Sequence, residues 1–295
     1  MSVTTQTLSL QAADGYPLQA TLYEPAGPCH AQLIVAGATG VPQAFYRRFA
    51  EHAARQGWRT LTLDYRGIGR SAPATLKGFR MNYLDWARLD LAAAVDHMAD
   101  LDPTRPLNMV GHSYGGHAFG LLPNHDKVQA FCTFATGAGW HGWMPPLERL
   151  RVRFMWQVLG PLMTRWKGYL SWSQLGMGED LPLDVFRQWK HWCRFPHYFF
   201  DDPALPGLKD QFATVRTPIM AINATDDLWA PPASRDAFMQ AYRNSGWQAR
   251  TLHPKHSGLG PIGHMGYFRP KAQALWDEAL HWLAANSQVQ AKAVG

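Results

Sequence analysis

Three cysteines in 295 residues, Cys29, Cys132 and Cys193, are odd in number and widely spaced, so a disulfide framework is excluded and they suit a reducing cytoplasm as small buried hydrophobes. Long apolar runs are missing too. The most apolar stretch, Phe154 to Met163, is bounded by Arg153 and by Thr164-Arg165, and it falls well short of the ~20 residues a membrane span requires. The opening residues Met1-Ser2-Val3-Thr4-Thr5 have neither the basic nor the apolar segment of a secretory leader, so a cytoplasmic location is expected. Charge is sparse at 17% of residues, with a net +6 and no Lys/Arg block. Arg149, Arg151 and Arg153 alternate with Leu150, Val152 and Phe154, which reads as the solvated side of a helix, and nucleic-acid binding is excluded for want of a basic stripe or binding motif. What is plentiful is apolar material: 46% hydrophobic residues and 13 tryptophans, enough for one large α/β core with an insertion.

The hydrophobic pattern starts with two β-prone runs, Thr4 to Leu10 and Leu18 to Tyr23, separated by Ala13-Asp14-Gly15, a hairpin signal. Strands and helices then alternate. Leu33 to Ala36, Thr60 to Leu63, Leu107 to Val110, Val128 to Phe134, Pro218 to Ile222 and Gln248 to Leu252 read as strands, and Gln43 to Gln56, Tyr83 to Ala99 and Lys271 to Ala285 as helices. Such alternation predicts an α/β fold with a mostly parallel sheet covered by helices on both faces, its sites at the carboxyl ends of the strands. Between Ala135 and Pro218 the alternation stops, and seven tryptophans fall there: Trp140, Trp143, Trp156, Trp166, Trp172, Trp189 and Trp192. A span that long needs structure of its own. Leu147 to Leu159 and Leu183 to Arg194 look helical, the first with Leu147, Leu150, Phe154 and Val158 on one face. The predicted organisation is a core of residues 1–136 and 214–287, a Trp-rich helical cap of residues 137–213, and a polar, frayed tail of residues 288–295.

Gly111-His112-Ser113-Tyr114-Gly115 carries the chemistry. In a chain with 26 glycines the bare G-x-S-x-G pattern can arise by accident, but here it directly follows a strand and precedes a helix. That context is a nucleophile elbow, which forces the serine into a sparsely populated backbone conformation and lifts its hydroxyl out of the strand end. A serine hydroxyl needs a base, and the base needs an orienting carboxylate. After the strand at Pro218 come Asp226 and Asp227, of which Asp227 takes the place elbow-type serine enzymes use for their acid. The segment Ala135-Thr136-Gly137-Ala138-Gly139, after the preceding strand, offers none. Past the last strand lie His253, His256 and His264, and only His264 stands between glycines ahead of a terminal helix, in Gly263-His264-Met265-Gly266. His112 and His117 adjoin Ser113 in sequence, but the elbow's backbone keeps them from the hydroxyl. Oxyanion donors are expected from the backbone N–H of Tyr114 and from Ala38 or Thr39 in the turn Gly37-Ala38-Thr39-Gly40. No G-K-[ST] follows that turn, so it is not a phosphate cradle. Trp140, Trp143 and Trp229 are the expected apolar substrate wall. No metal and no cofactor is expected.

The order Ser113, Asp227, His264, with elbow and cap, resembles the α/β-hydrolase superfamily over nearly the whole chain. Asp64-Tyr65-Arg66-Gly67-Ile68-Gly69-Arg70-Ser71 is similar to that superfamily's D-x-R-G-x-G-x-S turn. Ala38-Thr39-Gly40-Val41-Pro42, Asp226 to Pro232 and Gly263 to Arg269 look like a bacterial group described only as predicted α/β hydrolases. Ala36 departs from the pattern, replacing the histidine of the usual His-Gly pair before the oxyanion turn. The resemblance implies a serine hydrolase acting on a small carboxylic ester or thioester with an apolar acyl or aromatic part, with an acyltransferase, amidase or peptidase as alternatives. A serine at the elbow argues against haloalkane dehalogenase and epoxide hydrolase chemistry, which use a carboxylate there.

Overall fold

The computed structural model describes residues 3–176 and 178–293, residues 288–293 as backbone only. The chain opens with a hairpin in which β1 (Thr4–Gln11) pairs antiparallel with β2 (Pro17–Glu24) in the register Leu10↔Leu18. β3 (Ala31–Ala36) follows, then a 3-10 turn at Gln43–Tyr46, α1 (Arg47–Arg55) and β4 (Trp58–Leu63). A π-turn, Trp86–Leu91, leads into α2 (Ala92–Leu101), β5 (Leu107–His112), the short α3 (Tyr114–Ala118) and β6 (Ala130–Phe134). Four helices separate β6 from the next strand: α4 (Pro146–Phe154), which continues through a π-turn (Met155–Leu159) into α5 (Gly160–Lys167), then α6 (Leu183–Trp192) and α7 (Leu208–Ala213). β7 (Ile219–Ala224), α8 (Pro232–Met239), β8 (Gln248–Leu252) and α9 (Gln273–Ala293) complete the chain.

All eight strands join one sheet in the order β1-β2-β4-β3-β5-β6-β7-β8, antiparallel at the hairpin end and parallel from β4 onward. β3, β5, β6 and β7 are buried at every position, which is why they read in the sequence as unbroken apolar runs rather than alternating ones. The helices cover both faces. Phe49 of α1 and Trp276 of α9 pack edge to face at 5.7 Å on one side, while Leu91, Val95, Phe119 and Phe238 fill the other. From β3 the chain runs out to β4, and β5 lies on the other side of β3, so the order reverses between β3 and β5. In open α/β sheets that crevice is where ligands bind.

Leu147, Leu150, Phe154 and Val158 share one face of this helix and all four are exposed, while Val152, Met155 and Trp156 pack inward. Residues 288–293 continue the helical backbone of α9, and residues 294–295 of the expected tail lie outside the described residues. No glycine or proline interrupts Ala285–Ala293, and Ser287 is buried, its hydroxyl bonded to Leu283 O and Asn108 Oδ1. Among the described residues, no helix is long and apolar enough to cross a membrane.

The D-x-R-G-x-G-x-S turn after β4 is a structural knot. Asp64 accepts from Gln43 N at 2.7 Å and from Arg70 N at 3.1 Å, and Ser71 Oγ donates to Asp64 O. Arg66 is clamped between Asp14 and the buried Asp90. The elbow depends on close backbone approach. A Cβ at Gly116 would run into Thr136 Oγ1, and one at Gly115 into Ala36 O. Gly116→Ala is expected to cost about 1–3 kcal/mol by forcing α3 away from β6; a urea midpoint equal to that of the parent protein would show that the helix backs off freely.

Candidate active site

β5 ends at His112, and Ser113 then adopts φ 51°, ψ −106°, a left-handed conformation unusual for a residue with a side chain. The surroundings enforce it: Ser113 N donates to Phe134 O at 2.9 Å, and Thr136 Oγ1 donates to Ser113 O at 3.0 Å. The hydroxyl is thereby aimed at the loop after β8. There Ser113 Oγ lies 3.0 Å from His264 Nε2, and His264 Nδ1 lies 2.9 Å from Asp227 Oδ2 and 3.1 Å from Oδ1. A carboxylate only accepts, so Nδ1 carries the proton and Nε2 is free to take the one on Ser113.

Asp227 is buried. Burial alone would push its carboxyl up, but the His264 imidazole and the N–H groups of Ala230 and Trp229 outweigh this and hold it below the ordinary carboxylate range. Its neighbour Asp226 serves the backbone instead, accepting from Ile262 N at 2.8 Å through Oδ2 and so pinning the loop that carries His264. His253 and His256 meet edge to face, centroids 6.2 Å apart, and neither is bonded to Ser113.

Of the expected oxyanion donors, Ala38 does not qualify. Its N–H already donates to Tyr46 Oη at 2.8 Å. The N–H groups of Thr39 and Tyr114 have no acceptor among the described residues, and the Thr39 side chain is tied to Tyr83 Oη. Register brings the two turns together, since Ala36 pairs with Gly111 across β3 and β5.

Tyr46 also explains the place of His112. Its hydroxyl lies 2.9 Å from His112 Nδ1, and His112 Nε2 lies 2.9 Å from His264 O. A carbonyl only accepts, so Nε2 of His112 carries the proton, Nδ1 accepts from the Tyr46 hydroxyl, and that hydroxyl accepts from Ala38 N–H. This one-directional chain joins the turn after β3 to the backbone of His264. Burial, helped by nearby His264, pushes His112 down to about 3, so it stays neutral as the chain requires. Nothing in the sequence singles out Tyr46, because its partners lie in two distant turns.

A cavity of about 640 Å³ opens beside Ser113, walled by Val41, Phe45, Trp172, Trp189, Trp229 and Met265 and free of carboxylates and cationic chains among the described residues. Trp229 is among the lining residues. Trp140 and Trp143 do not line this cavity: they pack against each other at 5.7 Å, and Trp143 Nε1 donates to Pro196 O. Trp172 and Trp189, edge to face at 5.3 Å, take that position instead. Both belong to the tryptophan cluster visible in the sequence, which does not tell wall from anchor. Glu179 N donates to Gly40 O at 2.8 Å, holding the segment that carries Trp172 over the turn after β3. Among the described residues no cluster of ligating side chains could hold a metal ion.

A family model described as "Serine aminopeptidase, S33" matches residues 30–189, from β3 through the elbow into α6. The chain belongs to this S33 family of α/β hydrolases. No curated protein matches its sequence. Solved structures that match the S33 chain include a soluble variant of monoglyceride lipase from Saccharomyces cerevisiae (16% identity, TM-score 0.65, 95% of this chain and 96% of that chain). The esterase domain of a Rhodothermus marinus protein matches as well (17%, TM-score 0.58, 96% and 100%). So does Pyrococcus horikoshii acylaminoacyl peptidase (12%, TM-score 0.62, 97% of this chain and 42% of that chain). At these identities the likeness establishes the α/β-hydrolase fold. Residues 30–189 of the S33 match include Ser113 but neither Asp227 nor His264, whose relation to the serine rests on the geometry above.

Replacing the Tyr46 hydroxyl tests the chain of bonds. Tyr46→Phe leaves Ala38 N–H and His112 Nδ1 unpaired in a buried place and is expected to lower stability by about 1–3 kcal/mol in urea unfolding; an unchanged midpoint would count against it. His117 supplies a pH test. Burial pushes it down to about 4, against the hydrogen bond it makes to Gly137 O. The unfolded chain therefore takes up this proton first, near the ordinary value of about 6.5, and stability falls as pH drops from there toward about 4. His117→Gln should flatten the fall by up to about 1.4 kcal/mol per pH unit, read as a smaller gap between urea midpoints at about pH 7 and pH 5; an undiminished gap would place the acid sensitivity elsewhere.

Proposed function

We propose that the chain is a serine hydrolase for neutral, apolar carboxylic esters, working through an acyl-enzyme. Ser113 Oγ attacks the acyl carbonyl as its proton passes to His264 Nε2, and Asp227 stabilises the imidazolium through Nδ1–H. The oxyanion is met by the N–H groups of Tyr114 and Thr39. His264 then hands the proton to the leaving alcohol, and a water deprotonated by the same imidazole cleaves the acyl-enzyme. Residues 137–213 act in this reading as a cap, supplying Trp172 and Trp189 to the acyl wall. The observation that carries the reading is the Ser113–His264–Asp227 hydrogen-bond chain at the edge of an uncharged aromatic cavity.

The same walls weigh against aminopeptidase chemistry. A substrate's free ammonium group would have to be desolvated with no carboxylate to receive it, which is costly. A thioester of the same acyl group fits the same parts. The three cysteines are free thiols, which supports a cytoplasmic location.

A fluorophosphonate probe is expected to label the parent protein and to leave Ser113→Ala unlabelled, with turnover falling about 10⁶-fold in the variant. In a substrate panel, neutral aryl and alkyl esters should be hydrolysed and aminoacyl anilides with a free ammonium should not. Equal labelling of both proteins would sink the nucleophile assignment, and preferred cleavage of the anilides would replace esterase with aminopeptidase.

A further inference from the structure

The continuous helix formed by α4, its π-turn and α5 has an apolar face that nothing in the fold covers. Leu147, Leu150, Phe154, Val158, Leu162 and Trp166 are all exposed, Leu150 at 66%, Leu162 at 63% and Trp166 at 79%, while Val152, Trp156 and Thr164 on the other side are buried. Apart from Leu101, the remaining exposed large hydrophobics among the described residues are Leu175 and Leu228, in segments whose neighbours Trp172, Gly176 and Trp229 line the cavity. Scattered single exposures need no explanation, but a row of six along one helix does.

The row is kept straight by the π-turn. From Leu150 to Trp166 the spacing is four residues per step, and in an unbroken α-helix such a row would wind by about 160° around the axis. The wider turn at Met155–Leu159 takes up part of that drift, so Leu162 and Trp166 stay exposed together with Leu150 and Phe154.

The charges along the helix are of one sign. Arg149, Arg151, Arg153, Arg165 and Lys167 lie along it, and the single acid, Glu148, is mostly buried and paired with Arg151 at 3.6 Å. Arg153 and Arg165 have no ion-pair partner among the described residues, and Lys167 Nζ sits 4.8 Å above the Trp166 ring. Leucine, phenylalanine and tryptophan on one face with arginine and lysine beside them match the boundary between acyl chains and anionic headgroups. A second copy of the chain on this face would set the same arginines against one another.

We propose that the α4–α5 face docks on a lipid bilayer carrying anionic headgroups, laying Leu150, Phe154, Leu162 and Trp166 into the interface. Binding is independent of turnover, so it is tested on the full-length Ser113→Ala protein by flotation with vesicles of phosphatidylcholine alone and of phosphatidylcholine with phosphatidylglycerol. The protein is expected to float with the anionic vesicles, and Leu150→Ser/Phe154→Ser/Leu162→Ser to need about tenfold more lipid. Arg153→Gln/Arg165→Gln should also weaken binding and reduce its sensitivity to salt. Circular dichroism and urea midpoints matching the parent show that the variants fold. Absence of flotation with anionic vesicles, or equal flotation of the serine variant, overturns the proposal. A dimer in light scattering that the serine substitutions dissolve, without vesicle binding, assigns the face to a second copy instead.

Discussion

Everything at the site hangs on the left-handed backbone of Ser113. That conformation is unfavourable for a residue with a side chain, and it persists because both of its peptide groups are bonded to β6 and the turn after it, through Phe134 O and Thr136 Oγ1. Two glycines let α3 lie against Ala36 and Thr136 without room for a Cβ. The consequence is that the serine hydroxyl and the first free N–H of α3 both face the crevice where strand order reverses. Any loosening of the packing between α3, β3 and β6 would move the Ser113 hydroxyl and that N–H together.

The loops that meet the serine are held by polar chains rather than by helices. Asp226 pins Ile262, Asp227 holds the His264 ring, and the Ala38–Tyr46–His112 chain ends on the His264 carbonyl. Tyr46 and His112 are buried, so their hydrogen bonds are strong and their loss is costly. This division explains why neighbouring residues of one type do different work: of two adjacent aspartates one bonds the His264 ring and the other anchors its loop, and of the histidines near Ser113 only the distant one in sequence reaches it.

The insertion between β6 and β7 divides its aromatic residues between three surroundings. Trp156 and Trp192 pack inward, Trp172 and Trp189 border the cavity, and Trp166 stands in solvent. A period in the sequence announces that a helix has an apolar face but not which way the face turns, and in α4 that face turned outward. Trp140 and Trp143 fell outside the cavity for a similar reason: nearness in sequence to the end of β6 does not specify which side of the turn a ring occupies.

The sequence by itself determined the sheet, whose buried strands declare themselves as apolar runs, and it singled out Ser113, Asp227 and His264 as candidates, because the elbow's glycines and the strand-end positions are local patterns. Only the tertiary structure decided that Ala38 has no N–H left to offer while Thr39 does, that Tyr46 and His112 join two loops, and which tryptophans wall the cavity. Those outcomes depend on contacts between segments far apart in the chain, such as the 66 residues separating Tyr46 from His112. Local sequence pattern carries no information about such contacts until the fold brings the partners together.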